Sequence, residues 1–268
     1  MVFKRGDKHE LIKEVQRVLG VEQVGNFGPK TEAAVKTWQT QNGLVADGIV
    51  GPATLGKMGI TVPVKAPNNA SSSDAQYSKD KIESTLKAKG YKWFEGDYKL
   101  NIVGVRNSDT GTKVTNAFDD KITLSYQVDG KWIYKEWMNT TDPGTKGVKQ
   151  YHNAAGVARL VPGQYIDSHY LGKHQGKYEA LRQCGKVKVY RDANRDMNYD
   201  EHTIQEGVFG INIHKAGANS TYVENWSEGC QVFKKAADFE EFMDIVRASV
   251  AKGNSKFTYT LIDSKDIA

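Results

Sequence analysis

The sequence is poor in the features that define several protein classes. Two cysteines among 268 residues, Cys184 and Cys230, are too few for the disulfide framework of a small secreted domain. They leave open a single bridge, or one reactive thiol beside an inert one. No stretch approaches the roughly eighteen uninterrupted apolar residues of a membrane span, so we expect none. Charged residues make up 26% of the chain, which is typical of a folded domain.

The 37 Lys and Arg residues are dispersed along the chain. The formal net charge is +5, no run of five or more Lys or Arg occurs, and no nucleic-acid-binding motif is present. We therefore expect no nucleic acid partner, and a mild preference for an anionic wall polymer. Residues 1–7 lack the apolar core of a secretory signal. This predicts either a removed leader, or a protein made in the cytoplasm that reaches the cell wall after release. Separately, we expect a monomer.

An internal repeat occupies the first 60 residues. The segment Gly25–Thr31 (GNFGPKT) returns 23 positions later as Gly48–Thr54 (GIVGPAT). Each copy combines turn residues with a Thr that can cap a helix. Apolar residues at helical spacing precede each copy, and the pattern predicts three short helices over residues 1–60.

This repeat resembles the family of peptidoglycan-binding domains, which are three-helix modules. The resemblance is carried by Ile12–Leu19, Phe27–Gln39 and Gly43–Leu55. The first turn departs from the family pattern, since Val24 and Gly25 stand where an Asp-Gly pair is usual. The resemblance implies that the module binds cell-wall muropeptides. A helical bundle without a ligand is the alternative.

The next segment separates two domains. Residues 61–78 are rich in Pro, Asn and Ser, which predicts a linker. A short helix is expected to begin with Ser78 as its cap and to end at Gly90. We therefore divide the chain into a binding module (1–60), a linker (61–78) and a catalytic domain (79–268).

The pattern after Tyr91 is typical of β-structure. The fold class is thus α+β, a small three-helix module followed by a mainly β domain built largely of antiparallel pairs. Asp129-Gly130 predicts a hairpin turn, and Ala236–Ala251 has helical spacing. The predicted strands are Ile102–Val105, Lys121–Tyr126, Lys131–Tyr134, Lys186–Tyr190, Phe209–Ile213 and Phe257–Ile262.

A histidine and a cysteine carry the strongest chemical signal. His214 ends a predicted strand, and Cys230 follows Ser227-Glu228-Gly229. A thiol becomes a useful nucleophile when an imidazole takes its proton. Gly229 allows the backbone to come close to a reacting carbonyl, and the amides around Cys230 could form an oxyanion hole.

These residues resemble the catalytic domain of L,D-transpeptidases of the YkuD type. The family has a strand-borne His followed by Ser-His-Gly-Cys, and an upstream Thr-Pro-x-Gly-x-Phe/Tyr that Leu160–Tyr165 resembles in part. The resemblance spans about residues 155–235 and implies that Cys230 is the nucleophile and His214 the general base. We assign Ser227 and Gly229 to the catalytic turn. The residues assigned to substrate binding are Tyr165, His169, Trp226 and Glu228.

Two departures from this family favour hydrolysis over transpeptidation. Glu228 replaces the usual His, and Val232 stands where an Arg that engages substrate is expected. Chain order excludes another set of wall enzymes, because papain-like and CHAP-type hydrolases place Cys before His. No His follows Cys230.

Three other constellations receive plainer interpretations. Asp192–Asp200 resembles a calcium loop, but Met197 replaces the turn Gly and Thr203 the last ligand, so a solvated turn is favoured. A zinc site at His169 and His174 would need further ligands, for which Asp167 or Cys184 are candidates, and we favour surface or substrate-groove residues instead. Cys184 is interpreted as a small buried residue. We expect neither a metal nor a cofactor.

The sequence as a whole predicts a peptidoglycan stem-peptide hydrolase that acts through a Cys thioester. The combination of a wall-binding module with this domain suggests a bacteriophage endolysin. The alternatives are a cross-linking L,D-transpeptidase and a non-catalytic wall-binding protein.

Overall fold

Two compact units make up the chain in the computed structural model. It describes residues 3–60, 75–150, 154–200 and 203–267. The units are Met1–Ala66 and Pro67–Ala268. The first is helical and the second mainly β, as the sequence predicts. None of the helices within these described ranges is long and apolar enough to cross a membrane.

Six helices and eleven strands are described. The helices are α1 (Glu10–Val18), α2 (Pro29–Gln41), α3 (Pro52–Lys57), α4 (Lys79–Ala88), α5 (Thr145–Gln150) and α6 (Ala236–Ala251). The strands are β1 (Asn101–Arg106), β2 (Asp120–Val128), β3 (Lys131–Thr140), β4 (Val157–Leu160), β5 (Gly163–His174), β6 (Tyr178–Gln183), β7 (Val187–Asp192), β8 (Ile204–Gly207), β9 (Ile213–Lys215), β10 (Gln231–Phe233) and β11 (Phe257–Asp263).

The repeat in the first unit is built around two buried glutamines. The Gln39 side chain accepts a hydrogen bond from the Gly48 amide and donates to the Ile49 carbonyl, both at 2.9 Å. It also donates to Thr54 Oγ1 at 3.2 Å. Gln16 makes the same contacts with Gly25, Asn26 and Thr31, 23 positions earlier in each case. Each glutamine thus fixes one Gly-containing turn to one helix.

The two repeat threonines do not cap helices as the sequence suggested. The N-caps of α2 and α3 are Gly28 and Gly51, and neither has a side-chain cap bond. Thr31 and Thr54 lie inside the first turn, where they are buried and accept hydrogen bonds from Gln16 and Gln39. The following Pro is what starts each helix, because its fixed φ suits the first helical position.

The second unit is a closed barrel with the strand order β1-β11-β5-β6-β9-β10-β3-β2. Most neighbours are antiparallel, as predicted, but β1 pairs with β11 and β9 with β10 in parallel. The β2–β3 hairpin turns at Asp129-Gly130, whose φ values of 49° and 73° are those of a type I′ turn. A separate sheet has the order β4-β7-β8. Helix α6 packs the phenylalanines Phe239 and Phe242 into the core.

The predicted strand Phe209–Ile213 is wrong over most of its length. The strand begins only at Ile213, because the residues before it bond to a side chain instead of a neighbouring strand. Gln183 Oε1 accepts hydrogen bonds from the amides of Phe209 at 3.1 Å and Ile211 at 2.8 Å. Between them Gly210 has a φ of +79°, which no regular strand contains.

The start of the second unit lies earlier than the predicted boundary at residue 79. Residues 61–74 of the predicted linker lie outside the described residues. The Glu136 carboxylate accepts hydrogen bonds from the amides of Gln76 and Tyr77, each at 3.0 Å. Helix α4 then begins with its cap at Ser78, as predicted, and Gly90 follows its end with a φ of +73°.

Candidate functional site

The parallel pair β9–β10 brings the two predicted catalytic residues together. Val232 lies opposite His214 in the ladder, and the Gln231 amide donates to the Asn212 carbonyl at 2.9 Å. Because side chains alternate along a strand, Cys230 and His214 point to the same face of the sheet. Ile213 and Gln231 point the other way and are fully buried. The thiol and the imidazole therefore share the outer face of the barrel.

The thiol lies against the extended segment that precedes β9. Cys230 Sγ donates to the Gly210 carbonyl at 3.3 Å and receives the Asn212 amide at 3.5 Å. The side chain is partly buried and touches a small apolar cluster of Phe118, Ala216, Val223 and Val232. Burial raises the pKa of the Cys230 thiol to about 11, and the nearby Glu228 carboxylate raises it as well. The resting group is thus a neutral thiol.

The His214 ring is oriented by a backbone carbonyl. Its Nδ1 lies 3.0 Å from the Lys215 carbonyl oxygen, which can only accept. In the neutral ring Nδ1 therefore carries the proton, and Nε2 keeps its lone pair. The Lys215 carbonyl thus sets the orientation of the His214 ring.

Burial also keeps the imidazole uncharged. Burial first, and neighbouring His174 second, lower the pKa of His214 to about 4. A neutral imidazole beside a neutral thiol is a general-base arrangement, in contrast to a preformed ion pair.

The turn before Cys230 is braced from within. Ser227 Oγ donates to the Cys230 carbonyl at 2.9 Å and accepts from the Gly229 amide at 3.1 Å. The Gln231 amide is bonded to Asn212. Of the three amides at positions 229–231, only that of Cys230 has no acceptor within the described parts of the chain. It is the available donor for an oxyanion.

Gly229 is required by its surroundings. Its φ is +114°, and a Cβ there would lie 2.5 Å from the Ala158 carbonyl oxygen. The close backbone approach that the structure shows here is to strand β4, whereas the predicted approach to a reacting carbonyl stays a prediction. Next to Ala158, Arg159 forms a two-pronged ion pair with Asp142 at 2.8 and 3.0 Å. The contact of Gly229 with Ala158 sets how closely β4 approaches the turn before Cys230.

A second brace holds the loop between β9 and Cys230. Asn116 Oδ1 accepts from the Glu224 amide at 2.7 Å and from the Thr145 amide at 3.1 Å. The Gly144 amide donates to the Ser227 carbonyl at 2.9 Å, and a Cβ on Gly144 would overlap the Glu224 backbone. The segment around α5 therefore packs directly onto the loop that precedes Cys230.

The four residues predicted to bind substrate divide into two pairs. Trp226, 44% exposed, and the exposed Glu228 lie in the loop before Cys230, so both reach solvent beside the thiol. Tyr165 is half-buried, and its hydroxyl donates to the Val161 carbonyl at 2.5 Å. It holds the β4–β5 turn.

His169 is not a surface or groove residue, so that interpretation is wrong. The ring is 1% exposed and sits against Tyr259. Its Nδ1 contacts Ser168 Oγ at 2.9 Å and its Nε2 contacts the Ile211 carbonyl at 2.8 Å. Both nitrogens are therefore occupied, and burial lowers the pKa of His169 to about 4. His169 supports, from inside the barrel, the segment on which the thiol rests.

Sequence reasoning missed two residues that shape the site. The Gln183 side chain accepts from the Phe209 and Ile211 amides, as described. Its backbone amide donates to Asn212 Oδ1 at 2.9 Å. Asn212 is two positions before His214, and this spacing alone places it on the same strand face. Gln183 carries no comparable signal, since its partners are 24 to 29 positions away in the chain.

The remaining candidates from the sequence are Cys184, the Asp192–Asp200 turn and a possible metal site. Cys184 is exposed, so its interpretation as a buried residue is wrong. Its amide donates to the Ser168 carbonyl at 2.7 Å, and its thiol donates to the Asp167 carbonyl at 3.5 Å. Both cysteines are free thiols. Asp192 accepts from the amides of Arg195 and Met197, which makes the predicted Asp/Asn turn. In the described ranges no three His, Cys, Asp or Glu residues are grouped to hold a metal.

The N-terminal unit matches a known family. Residues 9–58 match the family described as "Putative peptidoglycan binding domain". The N-terminal module is a member of this family. The chain also matches the zinc D-Ala-D-Ala carboxypeptidase of Streptomyces albus G, with 43% identity over 64 residues, or 21% of this chain and 25% of that protein. An uncharacterized protein of Kitasatospora aureofaciens is 55% identical over 40 residues, 15% of this chain and 34% of the relative. The chain thus spans a quarter to a third of these relatives.

Solved structures resemble the chain only weakly. One is a fused Zn-dependent amidase/peptidase/peptidoglycan-binding domain-containing protein from Clostridium acetobutylicum, with 15% identity, TM-score 0.27, and coverage of 98% of this chain and 99% of that one. Another is an L,D-transpeptidase from Xylanimonas cellulosilytica, with 15% identity, TM-score 0.22 and 98% coverage of both. Scores this low do not establish a common fold.

Proposed function

We propose that the protein is a peptidoglycan stem-peptide hydrolase in which Cys230 is the nucleophile and His214 the general base. The observation that carries the proposal is the β9–β10 ladder. It places thiol and imidazole on one face of the barrel, with the base tautomer set by the Lys215 carbonyl. The wall as substrate is supported by the peptidoglycan-binding module at residues 9–58.

The first half of the reaction forms a thioester. The thiol turns from the Gly210 carbonyl and gives its proton to His214 Nε2, while sulfur adds to a stem-peptide carbonyl. The Cys230 amide donates to the oxyanion that forms. Collapse of this intermediate breaks the C–N bond, and the leaving amine takes the proton back from His214. The peptide acyl group then remains on sulfur.

The second half returns the enzyme to its resting state. His214 takes a proton from a water molecule, whose oxygen attacks the thioester carbonyl. The C–S bond breaks, sulfur recovers its proton, and a carboxylic acid leaves. An acceptor amine in place of water would make the protein an L,D-transpeptidase. The exposed Glu228 and the buried, apolar Val232 favour hydrolysis, because neither offers the cation that the transpeptidase resemblance leads one to expect beside the cysteine.

The binding module supplies proximity. A domain that holds the wall raises the local concentration of stem peptides around a tethered enzyme. In this proposal the protein acts at the cell wall after release from the cytoplasm, as a bacteriophage endolysin does. A chain that only binds the wall is the competing function.

Mass spectrometry of muropeptides after digestion of purified peptidoglycan tests the proposal. Shortened or unlinked stem peptides are the expected products. New cross-linked dimers would replace hydrolysis by transpeptidation, and an unchanged muropeptide profile would leave only the binding function.

A further inference from the structure

A second histidine lies directly on the proposed base. His174 is the last residue of β5, and its ring is stacked on that of His214, with centroids 4.2 Å apart and an interplanar angle of 19°. Tyr178, opposite His174 at the start of β6, lies 5.6 Å from His174 between ring centroids. The Tyr178 hydroxyl is 3.5 Å from His214 Nδ1 and 3.4 Å from the Lys215 carbonyl. The imidazole is thus enclosed on one face and along one edge.

The tautomer of His174 follows from the contacts of Asn212. Asn212 Oδ1 accepts from the Gln183 amide at 2.9 Å, which fixes the orientation of the carboxamide. Its Nδ2 therefore faces His174 Nδ1, at a long 3.5 Å. An amide NH₂ only donates, so Nδ1 of His174 is the unprotonated nitrogen. His174 rests as a neutral ring and contacts both His214 and Asn212, whose amide donates to the thiol.

We propose that His174 is a positioning residue for the reaction. Its stacked ring holds the His214 imidazole in the plane in which Nδ1 meets the Lys215 carbonyl. This inference rests on the proposed function, because it concerns how the base of that reaction is aimed. Hydrogen bonding at Nδ1 alone leaves the ring able to swing about that bond. Stacking removes this freedom.

The charges around the pair also favour neutral rings. Arg182 on β6 and Lys177 in the β5–β6 turn face His174 and, after burial, lower its pKa. Lys215 lies 5.1 Å above the Tyr178 ring and pairs with Glu240 of α6 at 3.3 Å. A proton on one imidazole disfavours a proton on the other. Only one of the two rings is therefore expected to gain charge as the pH falls.

Two variants separate stacking from proton transfer. His174→Phe keeps an aromatic face but cannot carry a proton, whereas His174→Ala removes the face. We expect His174→Ala to lower kcat for muropeptide hydrolysis by up to about 100-fold, with little change in KM, because the base is misaligned. In a plot of kcat against pH, the acid limb of His174→Ala should move toward the ordinary imidazole pKa of about 6.5. His174→Phe should restore most of the rate. Equal losses in both variants, or none in either, would overturn the proposal.

A readout that needs no substrate distinguishes this inference from the proposed function. Long-range ¹H–¹⁵N spectra of protein labelled at histidine report the tautomer of each ring, with His214→Gln used to assign the signals. Wild type and His174→Phe should show His214 protonated at Nδ1, and His174→Ala a mixture of tautomers. A wild-type ring protonated at Nε2, or an unchanged tautomer in His174→Ala, would refute the positioning role. An inactive protein with the expected spectra would refute only hydrolysis.

Discussion

Gly229→Ala is the substitution for which the structure gives the most definite consequence. The φ of +114° at this position is one that residues with a Cβ rarely adopt, and such strain costs on the order of 1–3 kcal/mol. The added Cβ would also meet the Ala158 carbonyl oxygen at 2.5 Å. The Cβ is fixed rigidly to the Gly229 backbone, and the oxygen belongs to the Ala158 backbone. One of the two segments must therefore move. Overpacking of this kind costs a further ~1–3 kcal/mol.

Gly96→Ala is the matched control. Gly96 has a φ of +110°, and its added Cβ would meet only the Lys99 side chain, at 3.6 Å. The backbone strain and the loss of unfolded-state entropy are then nearly the same in both variants. The difference between them isolates the clash with β4. For a domain of this size it corresponds to a further loss in Tm of roughly 2–12 °C.

Two assays on the same samples test this reasoning. Differential scanning calorimetry gives the Tm of each variant, and the rate of Cys230 alkylation in a Cys184→Ala background reports whether the thiol is displaced. We expect Gly96→Ala to alkylate at the wild-type rate and Gly229→Ala to differ from it. Equal Tm values and equal rates of Cys230 alkylation in the two variants would refute the reasoning.

Three further predictions follow from the electrostatics and the packing. Glu228→Gln removes a negative charge that raises the Cys230 pKa, so the pH midpoint of alkylation should fall; an unchanged midpoint would mean that the carboxylate does not act on the thiol. Gln39→Leu leaves buried backbone groups without partners and should cost ~2–4 kcal/mol and abolish pelleting with insoluble peptidoglycan, whereas exposed Gln41→Leu should change neither. Because the pKa of His169 is about 4 when folded and about 6.5 when unfolded, its contribution to stability is complete above pH 6.5 and falls by ~3 kcal/mol toward pH 4. Urea unfolding at pH 7 and pH 5 should show a smaller loss in His169→Gln, and an equal loss would contradict this assignment.

The sequence predicted the parts of the fold that depend on local patterns. The Gly-Pro turns, the Ser78 cap, the Asp129-Gly130 hairpin and the amphipathic α6 are each determined by neighbouring residues, and all are present. The strand near residues 209–213 was misplaced because the distant Gln183 takes its amides. Apolar content alone could not reveal that competition.

The candidate site shows the same division. Cys230 and His214 could be recognised because each lies in a motif, and strand alternation would also have identified Asn212. His174 and the Lys215 carbonyl could not, since the first reaches His214 only through the β5–β6 pairing and the β6–β9 contact. His169 was assigned to a groove because its burial depends on which face of β5 closes the barrel. These contacts follow from topology, which the chain pattern did not determine.

The central claim is that Cys230 performs the chemistry. Muropeptide mass spectrometry with Cys230→Ala and Cys184→Ala, compared at equal amounts of wall-bound protein, tests it most directly. Both variants should bind the wall, Cys184→Ala should release stem-peptide products at the wild-type rate, and Cys230→Ala should release none. Product formation by Cys230→Ala would contradict the account.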